Sequence, residues 1–319
     1  MQPQKQYTAT FLDLFDTVTT IVGKAESKEI FQEKAQVIHD QLLPYHQLFD
    51  IYSDYDGITN LKTVNTNAGI APVTVDQKII SLLLDCKKYC VATGGMVNTA
   101  MGSVLQLWHE ARTEGIDDPK NTKLPDSNAL KNAALYTDMN TVIIDKSAST
   151  VYISDPNVQL DVGAIAKGWA VQQVAESAPA GLLISVGGNV FATGPKDENG
   201  TPWVVGIQDP QGGDKYLHTL NITSGSVVTS GDYQRAYAVN GKLYHHIIDP
   251  ETLYPSEYWR SVTIVCADSG LADALSTALF LLPYEEGLAL LKQFDAKAMW
   301  VDAAGKLFYS PGFEELIRT

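Results

Sequence analysis

The sequence predicts an α+β fold, and three observations carry that prediction. Segments of strand character and of helical character are mixed along the chain without the regular alternation of a doubly wound sheet. At 319 residues and 45% hydrophobic, the chain is long and apolar enough to bury its own core. Its three cysteines cannot form a disulfide framework in place of one. The length is about twice a typical domain of ~150 residues, yet no low-complexity linker divides the chain. One mixed domain over 1–319 is expected, mixed sheets with packed helices in two closely packed lobes (1–180 and 181–319) around a ligand cleft.

From the N-terminus, residues 7–22, YTATFLDLFDTVTTIV, are rich in aromatic and β-branched residues and read as a strand or hairpin arm. Residues 26–48 are helical, with Ile30, Phe31, Ala35, Ile38 and Leu42 on one face and a break at Pro44. Residues 49–72 are polar and turn-rich. Helix returns at 75–92 and is closed by Thr93-Gly-Gly95. A further helix follows at 100–111, then a loop at 115–128 and a short helix at 129–136. The run TVIIDKSASTVYISDP reads as two strands around a turn, and Gly163–Ala178 as a helix opened by a glycine and an aspartate. In the second half, LLISV, WVVGI, LHTLNIT and SVVTSG are strands. RAYAVNGKLYHHII is a hairpin turning at Asn240-Gly241, since that dipeptide tolerates the positive φ of a tight turn. SVTIVCA is a strand, 270–282 and 285–294 are helices, and AKAMWVDAAGKLFYS closes the chain as a hairpin.

Charge and composition exclude some functions. With 23 Lys and Arg against 37 Asp and Glu, the formal charge is −14. A sequence-independent hold on DNA or RNA needs a basic face to neutralise phosphates, which this balance does not supply. It leaves room for an anionic small ligand held by a few local donors. Cys86 and Cys90 lie four apart on a helix and read as small buried hydrophobes, with no Cys or His cluster of zinc-ligand spacing beside them. No apolar run approaches the ~20 residues of a membrane span, and the start lacks a basic flank followed by an apolar segment. Taken as it stands, the chain is expected to be cytoplasmic.

Four segments hold residue types that can do chemistry. Asp161-Val-Gly-Ala-Ile-Ala-Lys-Gly168 delivers small residues to a helix start, where backbone amides favour an anion and Lys167 adds charge. A capping aspartate and a solvated lysine would explain it as well. Val186-Gly-Gly-Asn189 permits close approach of a ligand, or is simply a tight turn. Thr229-Ser-Gly-Asp-Tyr233 precedes the pair His245-His246, of which one can enter a site while the other faces away; a histidine there can move protons near neutral pH. Asp273 and Thr277 share a helix face, and a carboxylate with a hydroxyl suits Mg²⁺. An aspartate serving a helix dipole is the plainer alternative.

In this order and wording the segments resemble the ApbE family, the FAD:protein FMN transferases. DVGAIAKG matches that family's D-[LV]-G-[GA]-I-A-K-G, TSGDY its T-S-G-[DN]-Y, HIIDP its H-I-[IL]-D-P, and ADALSTAL its A-D-[AG]-L-[AS]-T-[AG]. SVGGN matches its strand followed by two glycines. The resemblance runs from about Tyr7 to Phe308 and departs in three places. The family's M-G-T is Phe15-Asp-Thr17 here, its G-x-[FY]-D-x-T-x-G falls on Gly95–Gly102 with Asn98 for the aspartate and Ala100 for the threonine, and its D-P-x-T-G is Asp249-Pro-Glu-Thr-Leu253.

The resemblance implies an ApbE-like fold, related to the T-fold, and an enzyme that moves FMN from FAD onto a threonine or serine hydroxyl of a partner flavoprotein, releasing AMP. It implies Mg²⁺ at Ala164 (through its carbonyl), Asp273 and Thr277. It implies FAD contacts at Phe15, Tyr52, Met96, Val97, Asn98, Asp161, Lys167 and Ile247, with His246 as catalytic base. FAD hydrolysis to FMN and AMP, and FAD binding without turnover, are the alternatives. The family further implies an acceptor in electron transfer at the membrane and an extracytoplasmic, lipid-anchored setting, against the cytoplasmic expectation.

Overall fold

The computed structural model describes residues 4–319 other than 214 and 234. Its first elements are the strands β1 (Lys5–Leu14) and β2 (Thr17–Ala25), then the helices α1 (Lys28–Phe49) and α2 (Leu61–Thr66). They are followed by β3 (Val73–Thr74), α3 (Gln77–Ala92), α4 (Gly102–Asp117), α5 (Ser127–Ala133), β4 (Val142–Asp145), β5 (Thr150–Ile153) and α6 (Ala166–Ser177). The second half runs β6 (Leu182–Val186), β7 (Asn189–Ala192), β8 (Trp203–Gln208), β9 (Tyr216–Ile222), β10 (Gly225–Gly231), β11 (Tyr237–Val239) and β12 (Lys242–Tyr244). It closes with β13 (Ser261–Cys266), α7 (Ser269–Phe280), α8 (Tyr284–Leu291), β14 (Ala296–Val301) and β15 (Leu307–Tyr309).

An eight-stranded antiparallel sheet, ordered β1-β2-β6-β7-β10-β13-β14-β15, forms the frame. β2 pairs with β6 in the register Thr19↔Val186 to Gly23↔Leu182, so this sheet runs straight across residue 180. α1, α6 and α7 pack on one face. The ribbon β8–β9 covers the other over Trp203, Ile207, Leu220, Met299 and Phe313. Sandwiched this way, β13 is buried almost throughout, its polar Ser261 and Thr263 included. A third cluster, Met101, Val104, Trp108, Leu130, Tyr237 and Val239, holds α4, α5 and the β11–β12 hairpin together. The cleft lies between that cluster and the ends of β2, β6, β7 and β10.

The N-terminal run is a full hairpin, and Asn240 (φ 49°) and Gly241 (φ 82°) make the expected tight turn. Other boundaries differ from expectation. α1 continues through Pro44 to Phe49. Proline removes one amide donor, and its partner would be the carbonyl of Asp40, an exposed residue whose carbonyl water can reach. α2, in the stretch read as turns, is started by Asn60, whose Oδ1 accepts from the Thr63 N–H. α4 runs on to Asp117, into the expected loop. α6 begins at Ala166, three residues later than expected, because residues 163–165 form a turn.

His39, buried on α1, ties this helix to β1. Its Nε2 lies 2.9 Å from Asp13 and its Nδ1 3.0 Å from Asp40. Burial lowers its pKa, but hydrogen bonds to Asp40 and Asp13 outweigh that, and the net value is raised above 6.5. A raised histidine stabilises the fold fully below its unfolded pKa and loses that contribution as pH rises through the folded value. His39→Gln is therefore expected to lower the denaturation midpoint most near pH ~6, with the gap to wild type closing towards pH ~9. A gap that stays constant across urea titrations at these pH values would rule out the charged pairing.

Candidate active site

One cleft of about 1210 Å³ gathers residues from segments spread over nearly the whole chain. Its floor is set by Asp273 on α7. The carboxylate is buried, and its Oδ2 accepts from the Gly168 N–H on α6 and from Asn189 Nδ2 on β7, both at 2.8 Å. Burial raises its pKa, against Lys167 and these two donors. The anion that the start of α6 attracts is thus first of all a side chain of the protein.

This bond has a second effect. A regular helix would give the Gly168 N–H to the carbonyl of Ala164, four residues back. With Asp273 holding that hydrogen, the Ala164 carbonyl accepts no backbone N–H among the described residues, and Ala164 lines the cleft. Asp273 and Thr277, one turn further along α7, line the same space. These are hard oxygen donors. Among the described residues no group of three or more His, Cys, Asp or Glu could hold a metal by itself. The set fits an ion such as Mg²⁺, which keeps waters and shares its shell with ligand phosphates, and not one needing a full protein cage.

Glycines allow the approach. A Cβ on Gly168 would lie 2.3 Å from the Ser269 carbonyl oxygen and 2.6 Å from Asp273 Cβ, so only glycine lets α6 and α7 meet here. Gly187 (φ 57°) and Gly188 (φ 90°) form the two-residue turn from β6 to β7, and a Cβ on Gly187 would collide with Thr17. That turn sets Asn189 against Asp273, so it is both a tight turn and part of the cleft wall.

Asp161 Oδ1 accepts from the Gly163 N–H at 2.8 Å, and Lys167 Nζ donates to the Gly163 carbonyl at 3.2 Å. Burial pushes Asp161 up, opposed by that N–H and by Arg235, His109 and Lys167. Tyr52 stacks on His109 with ring centroids 4.9 Å apart, and burial with Asp161 nearby pushes its phenol up to about 12. Met96, Val97 and Asn98 follow the glycine-rich end of α3. The Asn98 side chain is engaged at both ends, Oδ1 accepting from Ala100 N–H (2.9 Å) and Nδ2 donating to the Thr137 carbonyl (2.8 Å). Phe15 does not line the cleft. It sits in a turn with Asp16 where both residues have positive φ (53° and 50°), and its N–H donates to His46 Nδ1 at 3.1 Å. Asp16 and Thr17 line the cleft in its stead.

The histidine pair is not in a strand, since β12 ends at Tyr244 and the chain bends. Both therefore border the cleft. His245 is buried and locked, Nε2 donating to the Ser256 carbonyl (2.8 Å) and Nδ1 accepting from the Ile247 N–H (3.2 Å), and burial lowers its pKa. His246 is half-buried and lines the cleft beside Ile247.

The family model for the ApbE family matches residues 9–300. The chain belongs to the ApbE family. It is 35% identical over 277 residues to the FAD:protein FMN transferase of Treponema pallidum, covering 81% of this chain and 75% of that one. It is 30% identical over 272 residues to the FAD:protein FMN transferase of Klebsiella pneumoniae, covering 80% of each. Among solved structures, the ApbE protein of Thermotoga maritima superposes with a TM-score of 0.86 at 27% identity, over 99% of this chain and 100% of that one. The flavin transferase ApbE of Vibrio cholerae shares the fold at a TM-score of 0.78. The ApbE-family motifs thus lie around one cleft, with every site residue expected from them lining it except Phe15. His109, Arg112 and Arg235 line it too and were not singled out by the sequence, and Asn189 and Thr17 line it where the sequence showed them only as the last residues of motifs.

Gly168→Ala is expected to force α6 from α7 at a cost of about 1–3 kcal/mol, seen as a lower thermal midpoint in calorimetry. An unchanged midpoint would show that the two helices have slack at this contact.

Proposed function

We propose that the protein is a Mg²⁺-dependent FAD:protein FMN transferase, joining FMN through a phosphoester bond to a threonine or serine hydroxyl of a target flavoprotein and releasing AMP. One observation carries the reading: Asp273, held by the start of α6 and by Asn189, lies in the same cleft as His246, Lys167 and Tyr52. The names of the relatives support the reaction class.

In this reading FAD lies along the cleft with its pyrophosphate at the start of α6. Asp273, the Thr277 hydroxyl and the Ala164 carbonyl would hold Mg²⁺, which when bound would supply positive charge beside the pyrophosphate and so polarise phosphorus. Lys167 adds a point charge beside them. His246 accepts the proton of the acceptor hydroxyl as its oxygen bonds to the FMN phosphorus and the P–O bond to AMP breaks. His245, locked neutral by Ser256 and Ile247, holds the bend that presents His246. Tyr52 and the 96–98 segment are the flavin and adenine walls. The acceptor is an electron-transfer flavoprotein at the membrane, by analogy with the family.

Incubation with FAD, Mg²⁺ and a domain bearing an acceptor threonine should give a covalent FMN adduct by mass spectrometry. Free FMN and AMP with no adduct would replace transfer by hydrolysis, and bound, unchanged FAD would leave a carrier. Asp273→Ala should abolish metal-dependent turnover; full activity in this variant would remove the metal assignment. His246→Ala should slow transfer by about 10²–10⁴-fold, the usual share of a general base, while FAD affinity by flavin fluorescence holds. Collapse of FAD binding in that variant would make His246 a ligand contact.

A further inference from the structure

The turn between β1 and β2 has unfavourable residues for its shape. Leu14 pairs with Thr17, so Phe15 and Asp16 are the two central residues of a tight hairpin, and both have positive φ (53° and 50°). Such a turn favours Asn-Gly, the pair this chain uses at 240–241. Phenylalanine and aspartate carry a Cβ that crowds the backbone in the left-handed region. The turn is held from outside, by His46 in the last turn of α1. The Phe15 N–H donates to His46 Nδ1 at 3.1 Å, and the two rings meet edge to face with centroids 5.6 Å apart.

The other ring nitrogen is engaged too. His46 Nε2 lies 3.2 Å from the Tyr55 hydroxyl, and that hydroxyl donates to Asp50 Oδ2 at 2.7 Å. Asp50 Oδ1 accepts from the N–H groups of Tyr52 (2.6 Å) and Ser53 (3.1 Å). These directions allow one neutral tautomer. Nδ1 accepts, so the ring hydrogen is on Nε2, and it goes to Tyr55, whose own hydrogen is committed to Asp50. Burial pushes the Asp50 carboxyl up, but the Tyr52, Tyr55 and Ser53 donors outweigh it and the net pKa is lowered, so the chain ends on an ionised acceptor.

Both ends of this bridge reach the cleft. Asp16, Thr17 and Tyr52 line it, whereas Phe15, His46, Asp50 and Tyr55 stand behind them. Thr17 also abuts the 187–188 turn, whose Gly187 N–H donates to the Val18 carbonyl at 3.0 Å and which carries Asn189 to Asp273. A shift of the β1–β2 turn would therefore be felt at two parts of the cleft wall.

We propose that His46, as the neutral Nε2–H tautomer, is a positioning residue for FAD: it ties the 15–17 turn to the Tyr52 loop and sets the spacing at which the two line the cleft. It touches no ligand itself. The proposal rests on the flavin reading of the cleft.

The test uses the full chain. FAD affinity is read by flavin fluorescence, stability by the thermal midpoint, and the His46 ring by NMR of ¹⁵N-labelled histidine. Near neutral pH and without FAD, the ring should show the Nε2–H pattern. His46→Phe keeps a ring and removes both hydrogen bonds, and should weaken FAD binding about tenfold, the factor expected of roughly one hydrogen bond. His46→Asn, whose amide oxygen can replace Nδ1 as acceptor, should bind FAD within about threefold of wild type. Phe15→Gly added to His46→Phe should restore affinity to the same range, because glycine adopts this turn without an anchor. A His46→Phe variant with a lower thermal midpoint and unchanged FAD affinity would make the histidine merely structural and overturn the proposal. So would an Nδ1–H or doubly protonated ring near neutral pH. The ring measurement needs no FAD, so the two readings fail separately: an Nε2–H ring in a wild type without FAD affinity refutes the flavin reading alone, and FAD affinity indifferent to His46→Phe refutes the positioning role alone.

Discussion

The site depends on one buried carboxylate. Asp273 joins three elements that are remote in sequence, because its Oδ2 is held at once by the backbone of α6 and by a side chain at the start of β7. Neither donor is charged, and burial disfavours the ionised form of the carboxylate. A cation in the cleft would relieve that cost. Gly168 and the 187–188 turn follow from the same requirement, since the donors reach Asp273 only if the backbones come this close. The Ala164 carbonyl, left without a backbone N–H among the described residues, is a by-product of the arrangement.

This accounts for how an acidic chain can hold an anionic ligand. The formal −14 is a property of the whole surface, whereas the cleft balances Lys167, Arg112 and Arg235 against Asp16, Asp161 and Asp273. Those charges are not spread evenly. Lys167 lies within electrostatic reach of both Asp161 and Asp273, and Arg235 acts on Asp161.

Much of this was legible in the sequence where local chemistry decides the structure. The hairpin at Asn240-Gly241, the helix ending at Thr93 and the cluster of small residues at 161–168 are local signals, and each falls where expected. Asn189 was only the last letter of a turn motif, because its role exists through a contact 84 residues away. Arg112 is one residue of an amphipathic helix, and its place in the cleft wall is a tertiary fact. Phe15 was misplaced for a similar reason. The resemblance carried it over as an FAD contact, but the left-handed turn held by His46 sends its neighbours Asp16 and Thr17 to the cleft. Pro44 shows the reverse case, a strong local signal overruled by the packing of α1 on the sheet.

The pairing of β2 with β6 has a consequence for biosynthesis. The N-terminal hairpin leaves the ribosome early, but the strand that covers its inner edge begins only at Leu182. At ~5–20 residues per second, β2 would wait roughly ten to thirty seconds with its hydrogen-bonding edge open. Long-range pairing of this kind makes for slow folding and gives chaperones a target. α7 arrives later still, so a nascent chain has the glycine turn and α6 before it has the carboxylate they are built to hold. The Asp273 site is therefore completed only once α7 has been made.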